Sequence, residues 1–210
     1  MTGKLRSGIC LLVMMVGLGT VACKLRRPDT APARMIEPQL LQPQQAGPAA
    51  PVSKAANAAP VRLLETQALG HIGRPLLHQQ ASGELAADPV WRWSSAPDRY
   101  LDTALQLEAA SNPNVRLVDA ARATALAATL IVWDLEPREG TRLVGAVEFQ
   151  IMGDNNVVLT KVVRDSEPIN TELPGNLAVA AGNLLRRLAS EGLKLAVSQP
   201  PAPTTSRQPR

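Results

Sequence analysis

Apolar and polar positions divide the chain into two tails and a folding middle. Val61-Arg62-Leu63-Leu64-Glu65 opens the middle as a short strand. Arg74-Pro75-Leu76-Leu77-His78-Gln79 and Val90-Trp91-Arg92-Trp93 flank a turn at Ser82-Gly83-Glu84, which predicts a loose hairpin. The spacing then becomes helical. Ser95-Ala96-Pro97-Asp98 predicts a helix start, with Ser95 as cap, Pro97 in the first turn and Asp98 complementing the orphan amides. Tyr100, Leu101, Ala104, Leu105 and Leu107 form one apolar stripe, and Asn112-Pro113-Asn114 stops the helix.

A short strand follows at Val115-Arg116-Leu117-Val118, and a stronger one runs from Thr129 to Leu135. Strict alternation in the latter places Leu130 and Val132 on one face and Ile131, Trp133 and Leu135 on the other. Gly140 leads into Leu143 to Met152, where Leu143, Val147, Phe149 and Ile151 share a face opposite Glu148 and Gln150. Asp154-Asn155-Asn156 turns the chain back into Val157 to Arg164. Three strands joined by short turns predict an antiparallel meander. Asn176 to Val197 reads as an amphipathic helix, with Leu177, Ala181, Leu184, Leu185, Leu188 and Leu195 on one side. Strands, helix, strands, helix in that order predict a two-layer α+β domain over residues 61–198. Its sheet is expected to be mixed, mostly antiparallel and of about 4–6 strands, with both helices on one face.

The ends have a different composition. Lys24 to Pro60 is dominated by Pro, Ala and Gln, which bury too little area to offset ordering of the chain. Residues 23–60 therefore read as a disordered tether, and 199–210 as a disordered tail. A 37-residue coil reaches roughly 30–35 Å. Met35-Ile36 and Leu40-Leu41 are apolar exceptions that allow one further strand, and Pro38 restricts it to a sheet edge.

Residues 1–22 have the form of a secretory signal, with Lys4 and Arg6 before a short apolar run, Ile9 to Leu18, and small residues after it. The run is too short for a spanning helix. Thr20-Val21-Ala22-Cys23 resembles a bacterial lipobox, although leucine is usual where Thr20 stands. Cleavage after Ala22 would discard Cys10 and leave Cys23 as the only mature cysteine, the residue a lipobox would have acylated. Lys24, rather than aspartate, follows it, which fits delivery to the periplasmic face of the outer membrane.

Charge and composition exclude several functions. The formal charge of +4 falls to +2 once Lys4 and Arg6 are removed, too little for general nucleic-acid binding. Aromatic residues make up 2% of the chain, which leaves no platform for base stacking. Two cysteines cannot build a zinc site or a disulfide framework. His71 and His78 have no Cys, Asp or Glu at metal-ligand spacing, and no phosphate loop or nucleophile elbow occurs. Asp98 and Asp102 share a helix face but are accounted for by the helix start and by solvent. The chain is therefore expected not to be an enzyme and to hold no metal or cofactor. Trp91 and Trp93 point to one face of their strand and either fill the core or anchor a partner, with Arg92 and Arg99 as the solvent-facing members of such a surface. Arg186-Arg187 suits a solvated face, an anionic lipid headgroup or an acidic partner.

Arg74-Pro75-Leu76-Leu77, and Pro89-Val90-Trp91-Arg92-Trp93-Ser94-Ser95-Ala96-Pro97-Asp98-Arg99-Tyr100-Leu101, resemble the ABC-type transport auxiliary lipoproteins. That family includes the accessory lipoproteins of MCE-type intermembrane lipid transport systems. The order of lipobox, Pro/Ala-rich tether, hairpin, Trp-x-Trp strand and helix matches as well. The resemblance implies a non-catalytic periplasmic domain that docks with an MCE-domain protein and its ABC permease and ATPase, with phospholipid as the cargo. A lipid-binding carrier and an envelope-assembly scaffold are the alternatives.

Overall fold

A computed structural model describes residues 32–40, 53–121, 123–137, 140–153, 156–169 and 174–199. All lie within the unit Pro32–Arg210, and the signal segment and Cys23 fall outside them. In chain order the elements are β1 (Arg34–Ile36), β2 (Ala59–Leu63), β3 (Gln67–Ala68), β4 (Pro75–Gln79), β5 (Leu85–Trp93), α1 (Pro97–Ser111), β6 (Val115–Leu117), β7 (Thr124–Glu136), β8 (Arg142–Gly153), β9 (Asn156–Pro168) and α2 (Pro174–Ser198).

The expected α+β class is what forms. Among the described residues one mixed sheet has nine strands, more than the pattern suggested, because β1 and β3 are only three and two residues long. Segments that short carry no readable alternation. The long strands β7, β8 and β9 form the antiparallel meander. The other edge of β7 is shared along its length by β2, β3 and β4, all parallel to it. β6 extends the sheet from β2, and β5 and then β1 extend it from β4. Parallel neighbours need a crossover connection, and α1 lies between β5 and β6 to supply one.

Two assigned positions differ from the sequence reading. Ala96, not Ser95, is the N-cap of α1, and it makes no side-chain capping bond. The Ser95 N–H instead donates to the Tyr100 hydroxyl at 2.7 Å. In β7 a bulge lies between Leu130 and Val132. The extra residue resets the alternation, so Leu130, Trp133 and Leu135 all enter the core, where strict alternation had separated Leu130 from the other two.

The core lies between the sheet and the two helices. Leu143, Val147, Phe149 and Ile151 of β8 meet Leu184, Leu185, Leu188 and Leu193 of α2, while Tyr100, Leu101, Ala104 and Leu105 contribute from α1. Trp93 and Trp133 pack with ring centroids 5.6 Å apart, tilted at 50°. Gly192 lets α2 approach the sheet, since a Cβ there would lie 2.4 Å from the Phe149 ring. Gly182 does the same for residues 37–40, since its Cβ would lie 2.1 Å from the Gln39 carbonyl oxygen.

The domain begins well before residue 61. β1 lies inside the expected tether, pairs parallel with β5 and forms a sheet edge, the role Pro38 permits. Ile36 is only 3% exposed, and the Gln39 N–H donates to Ala178 of α2 at 2.9 Å. Lys54, also in that stretch, donates through Nζ to the carbonyls of Ala109, Ala110 and Asn112 at 2.8, 2.8 and 2.9 Å. It thereby satisfies the carbonyl end of α1, which has no basic residue of its own in the last turn.

Candidate functional site

The tryptophan strand divides into buried and accessible parts. Trp93 is fully buried against Trp133 and is closed to any partner. Trp91, on the same face two residues earlier, is half-buried, and the Arg34 guanidinium of β1 lies 5.5 Å from its ring centroid. Arg92 is half-buried opposite Met35 and Pro75, while Arg99 is exposed on α1. Trp91, Arg92 and Arg99 remain reachable, whereas Trp93 is a core residue.

Beside them is a polar junction that spacing did not reveal. The Tyr100 hydroxyl bonds Ser94 Oγ, accepts the Ser95 N–H and donates to Glu37 at 3.1 Å. Burial raises the pKa of this phenol, and Glu37 adds to the shift while the bonds from Ser94 and Ser95 oppose it. The junction ties β1, the end of β5 and α1 together.

On the hairpin, His78 Nε2 lies 2.8 Å from Asp88 Oδ2. Asp88 Oδ1 accepts the Val90 and Trp91 N–H groups at 2.8 and 2.7 Å. Burial works against its charge, but these amides and His78 outweigh it and hold the carboxyl below its ordinary value. Asp88 stands ten residues from His78 in the chain, so a nearest-neighbour scan misses it. Reflection about the Ser82–Glu84 turn would have found it, because His78 pairs with Ala86 and Asp88 is the next residue on that face.

The sheet face away from the helices holds a second charged group. Asp134 and Glu136 lie two apart on β7, both buried, and Arg164 of β9 binds Glu136. Burial raises the Asp134 pKa, Glu136 raises it further, and Arg164 and His71 pull the other way. Asp134 Oδ1 is buried without a hydrogen-bond partner.

Between the helices lies a polar cleft of about 290 Å³ lined by Glu108, Asn183, Arg186, Arg187 and Ser190. Arg187 is not free within it: it binds Asp165 at 2.6 Å and Glu167 at 2.7 Å. Burial disfavours its charge, yet the two carboxylates raise its pKa. Arg186 donates to Asn183 Oδ1 at 2.6 Å. Among the described residues no group of three or more His, Cys, Asp or Glu could hold a metal ion. No described helix is long and apolar enough to cross a membrane.

The last candidate is an edge. β9 is a 13-residue strand that, among the described residues, pairs with β8 alone, and Val157, Val158 and Val162 on it are each more than half exposed.

No protein-family model and no curated protein matches the chain. Solved structures do. A Xanthomonas campestris protein of the DUF330 family is similar at a TM-score of 0.60 and 12% identity, over 78% of this chain and 95% of that one. An uncharacterized protein is similar at a TM-score of 0.52 and 11% identity, over 69% and 94% of the two chains. A minor lipoprotein from Acinetobacter baumannii gives a TM-score of 0.38 at 15% identity, over 66% and 93%. What this chain has in common with the Xanthomonas protein is the fold, along nearly the whole of that protein's length.

Proposed function

We propose that the chain is a lipid-anchored accessory protein of the bacterial envelope, without catalytic activity, serving an ABC-type, MCE-associated lipid transport system. In this reading Cys23 carries the lipid and holds the domain at the periplasmic face of the outer membrane. The domain then docks with the MCE-domain component, and a separate ATPase supplies the energy. The observation that carries the reading is the Thr20-Val21-Ala22-Cys23 motif placed directly ahead of a folded α+β domain. The resemblance of residues 74–101 to the auxiliary lipoproteins supplies the transport assignment, and the fold shared with the Xanthomonas protein is compatible with it.

β1 sharpens the picture. Ten residues separate Cys23 from Arg34. They span at most about 36 Å when extended, and about 17 Å as a coil. An anchored domain would thus stay close to its membrane, on a leash far shorter than the whole stretch up to residue 60. A carrier holding lipid between sheet and helices is not favoured, because Trp93, Trp133, Phe149, Leu184 and Leu185 fill that interface.

The test is an affinity pull-down of the intact protein from envelope membranes, with bound proteins and lipids identified by mass spectrometry. Co-purification of an MCE-domain protein supports the assignment. Its absence after gentle cross-linking rejects the transport partner. Separately, Cys23→Ser is expected to abolish palmitate labelling and release the protein from membranes; unchanged fractionation would reject the anchor.

A further inference from the structure

A sheet edge left open over 13 residues is a template for another strand, and natural proteins ordinarily blunt such edges. β9 is not short, and its only proline, Pro168, is its last residue. Within it run Val157, Val158, Leu159, Val162 and Val163, the β-branched and apolar types that favour strand pairing. Its outer edge has no partner strand among the described residues.

The charges on this edge are arranged symmetrically. Lys161, Val163 and Asp165 point to the helix side of the sheet, each opposite a buried β8 residue: Phe149, Val147 and Gly145. Asp165 is fixed by Arg187. Lys161 is exposed and has no ion-pair partner among the described residues. The two charges stand two residues either side of Val163. If a second β9 is laid antiparallel with Val163 opposite itself, each Lys161 faces Asp165 of the other copy, and Thr160 faces Ser166 on the far side. A register shifted by one residue about Val162 loses both charge pairs, placing Lys161 against Val163 and Asp165 against Leu159.

We propose that β9 pairs antiparallel with β9 of a second copy of this chain, about a twofold axis at Val163, with reciprocal Lys161–Asp165 ion pairs setting the register. Such a contact is isologous, as a closed dimer requires. It joins two sheets through their backbones and covers the exposed Val162 beside the half-buried Val163. Opposite-charge and polar pairs directly across strands are favourable, and like charges are unfavourable. An edge lysine that deters other strands is here matched only by a strand offering an acid four residues later. The inference does not depend on the transport assignment.

Strand addition alone buries little area, so the dimer is expected to be weak in dilute solution and is best trapped where the protein resides. Residues opposite each other in an antiparallel pair have Cα atoms about 4.5–5.5 Å apart, within disulfide range. Val163→Cys in the full-length protein, treated in isolated membranes with a mild oxidant, should give a dimer band on a non-reducing gel beyond any seen for the parent. Val158→Cys should not, because in this register its counterpart lies about 30 Å away along the strand. In the Val163→Cys background, Lys161→Asp should reduce the band several-fold by opposing like charges, whereas Lys161→Arg, which keeps the charge and leaves the Asp165–Arg187 pair intact, should preserve it. A band at position 158 equal to that at 163 overturns the register. No band at 163, or one joining this chain to a different protein, overturns the self-pairing. An undiminished band with Lys161→Asp, or a band lost with Lys161→Arg, overturns the role given to the ion pairs.

Discussion

At the scale of single residues, two glycines and two aspartates make the strongest claims. The Cβ of Gly192→Ala would meet the buried Phe149 ring at 2.4 Å, inside a core that cannot expand freely. The expected cost is about 1–3 kcal/mol, read from the midpoint of urea unfolding. Gly175→Ala is the control, with nothing within 4 Å of its Cβ, and should leave the midpoint nearly unchanged. Asp88 and Asp134 are expected to respond to pH in opposite directions. The folded-state pKa of Asp88 lies below its unfolded value, so its contribution is present above pH 3.8 and is lost as pH falls through the folded pKa. Asp88→Asn should therefore destabilise the domain at neutral pH and match the parent in strong acid. Asp134 is raised, so its ionisation costs stability as pH climbs through and above 3.8. Asp134→Asn should be neutral or stabilising near pH 7, with the gain disappearing on acidification. Paired urea titrations at pH 7 and at steps down to about pH 1.5 check both. The asymmetry was not legible in the chain, because Asp88 draws its amides from Val90 and Trp91 in its own strand whereas Asp134 acquires its burial from tertiary packing around β7.

At the scale of elements, residues 34–40 show how much a short segment can do. Three strand residues would not be stable alone, yet Arg34 covers Trp91, Ile36 enters the core, Glu37 receives the Tyr100 hydroxyl and Gln39 bonds α2. Only the absence of a side chain at Gly182 permits the last contact. Gly182→Ala should push the Gln39 backbone away from α2. Amide exchange is expected to speed up across residues 34–40 while β7 and β8 keep their protection; unchanged exchange in 34–40 would mean that the segment has another place to sit. The two helices and the meander were legible because a dozen or more residues repeat one period. Their ends were less so: the core helix begins at Pro174, two residues before the pattern indicated, and β9 runs to Pro168 rather than Arg164.

At the scale of the whole molecule, the domain is a three-stranded meander with a branched set of shorter strands, all covered on one face by two helices. A protein cut to begin at residue 61, where the strand pattern begins, would lack β1, Ile36, Glu37 and the Lys54 cap. Burial of Ile36 alone is worth roughly 1.5–3 kcal/mol. The truncated chain is thus expected to unfold at clearly lower urea concentration than one beginning at residue 32, and an equal midpoint would show that the early segment only decorates the fold. The same view leaves the Trp91–Arg92–Arg99 region and the β9 edge at separate places. β1 and β9 are both terminal strands, so anchor-side and edge-side contacts need not compete.

The chain by itself determined the α+β class, the two amphipathic helices, the hairpin and the meander. These are written in local repeats and short motifs, which need no partner from elsewhere in the sequence. The tertiary structure decided which face Leu130 takes after the β7 bulge, that Trp93 is interior while Trp91 is not, that Asp88 meets His78, and that part of the tether is a strand. Each of these depends on strand pairing across tens of residues, where one inserted position reverses a face and two paired residues suffice for a strand.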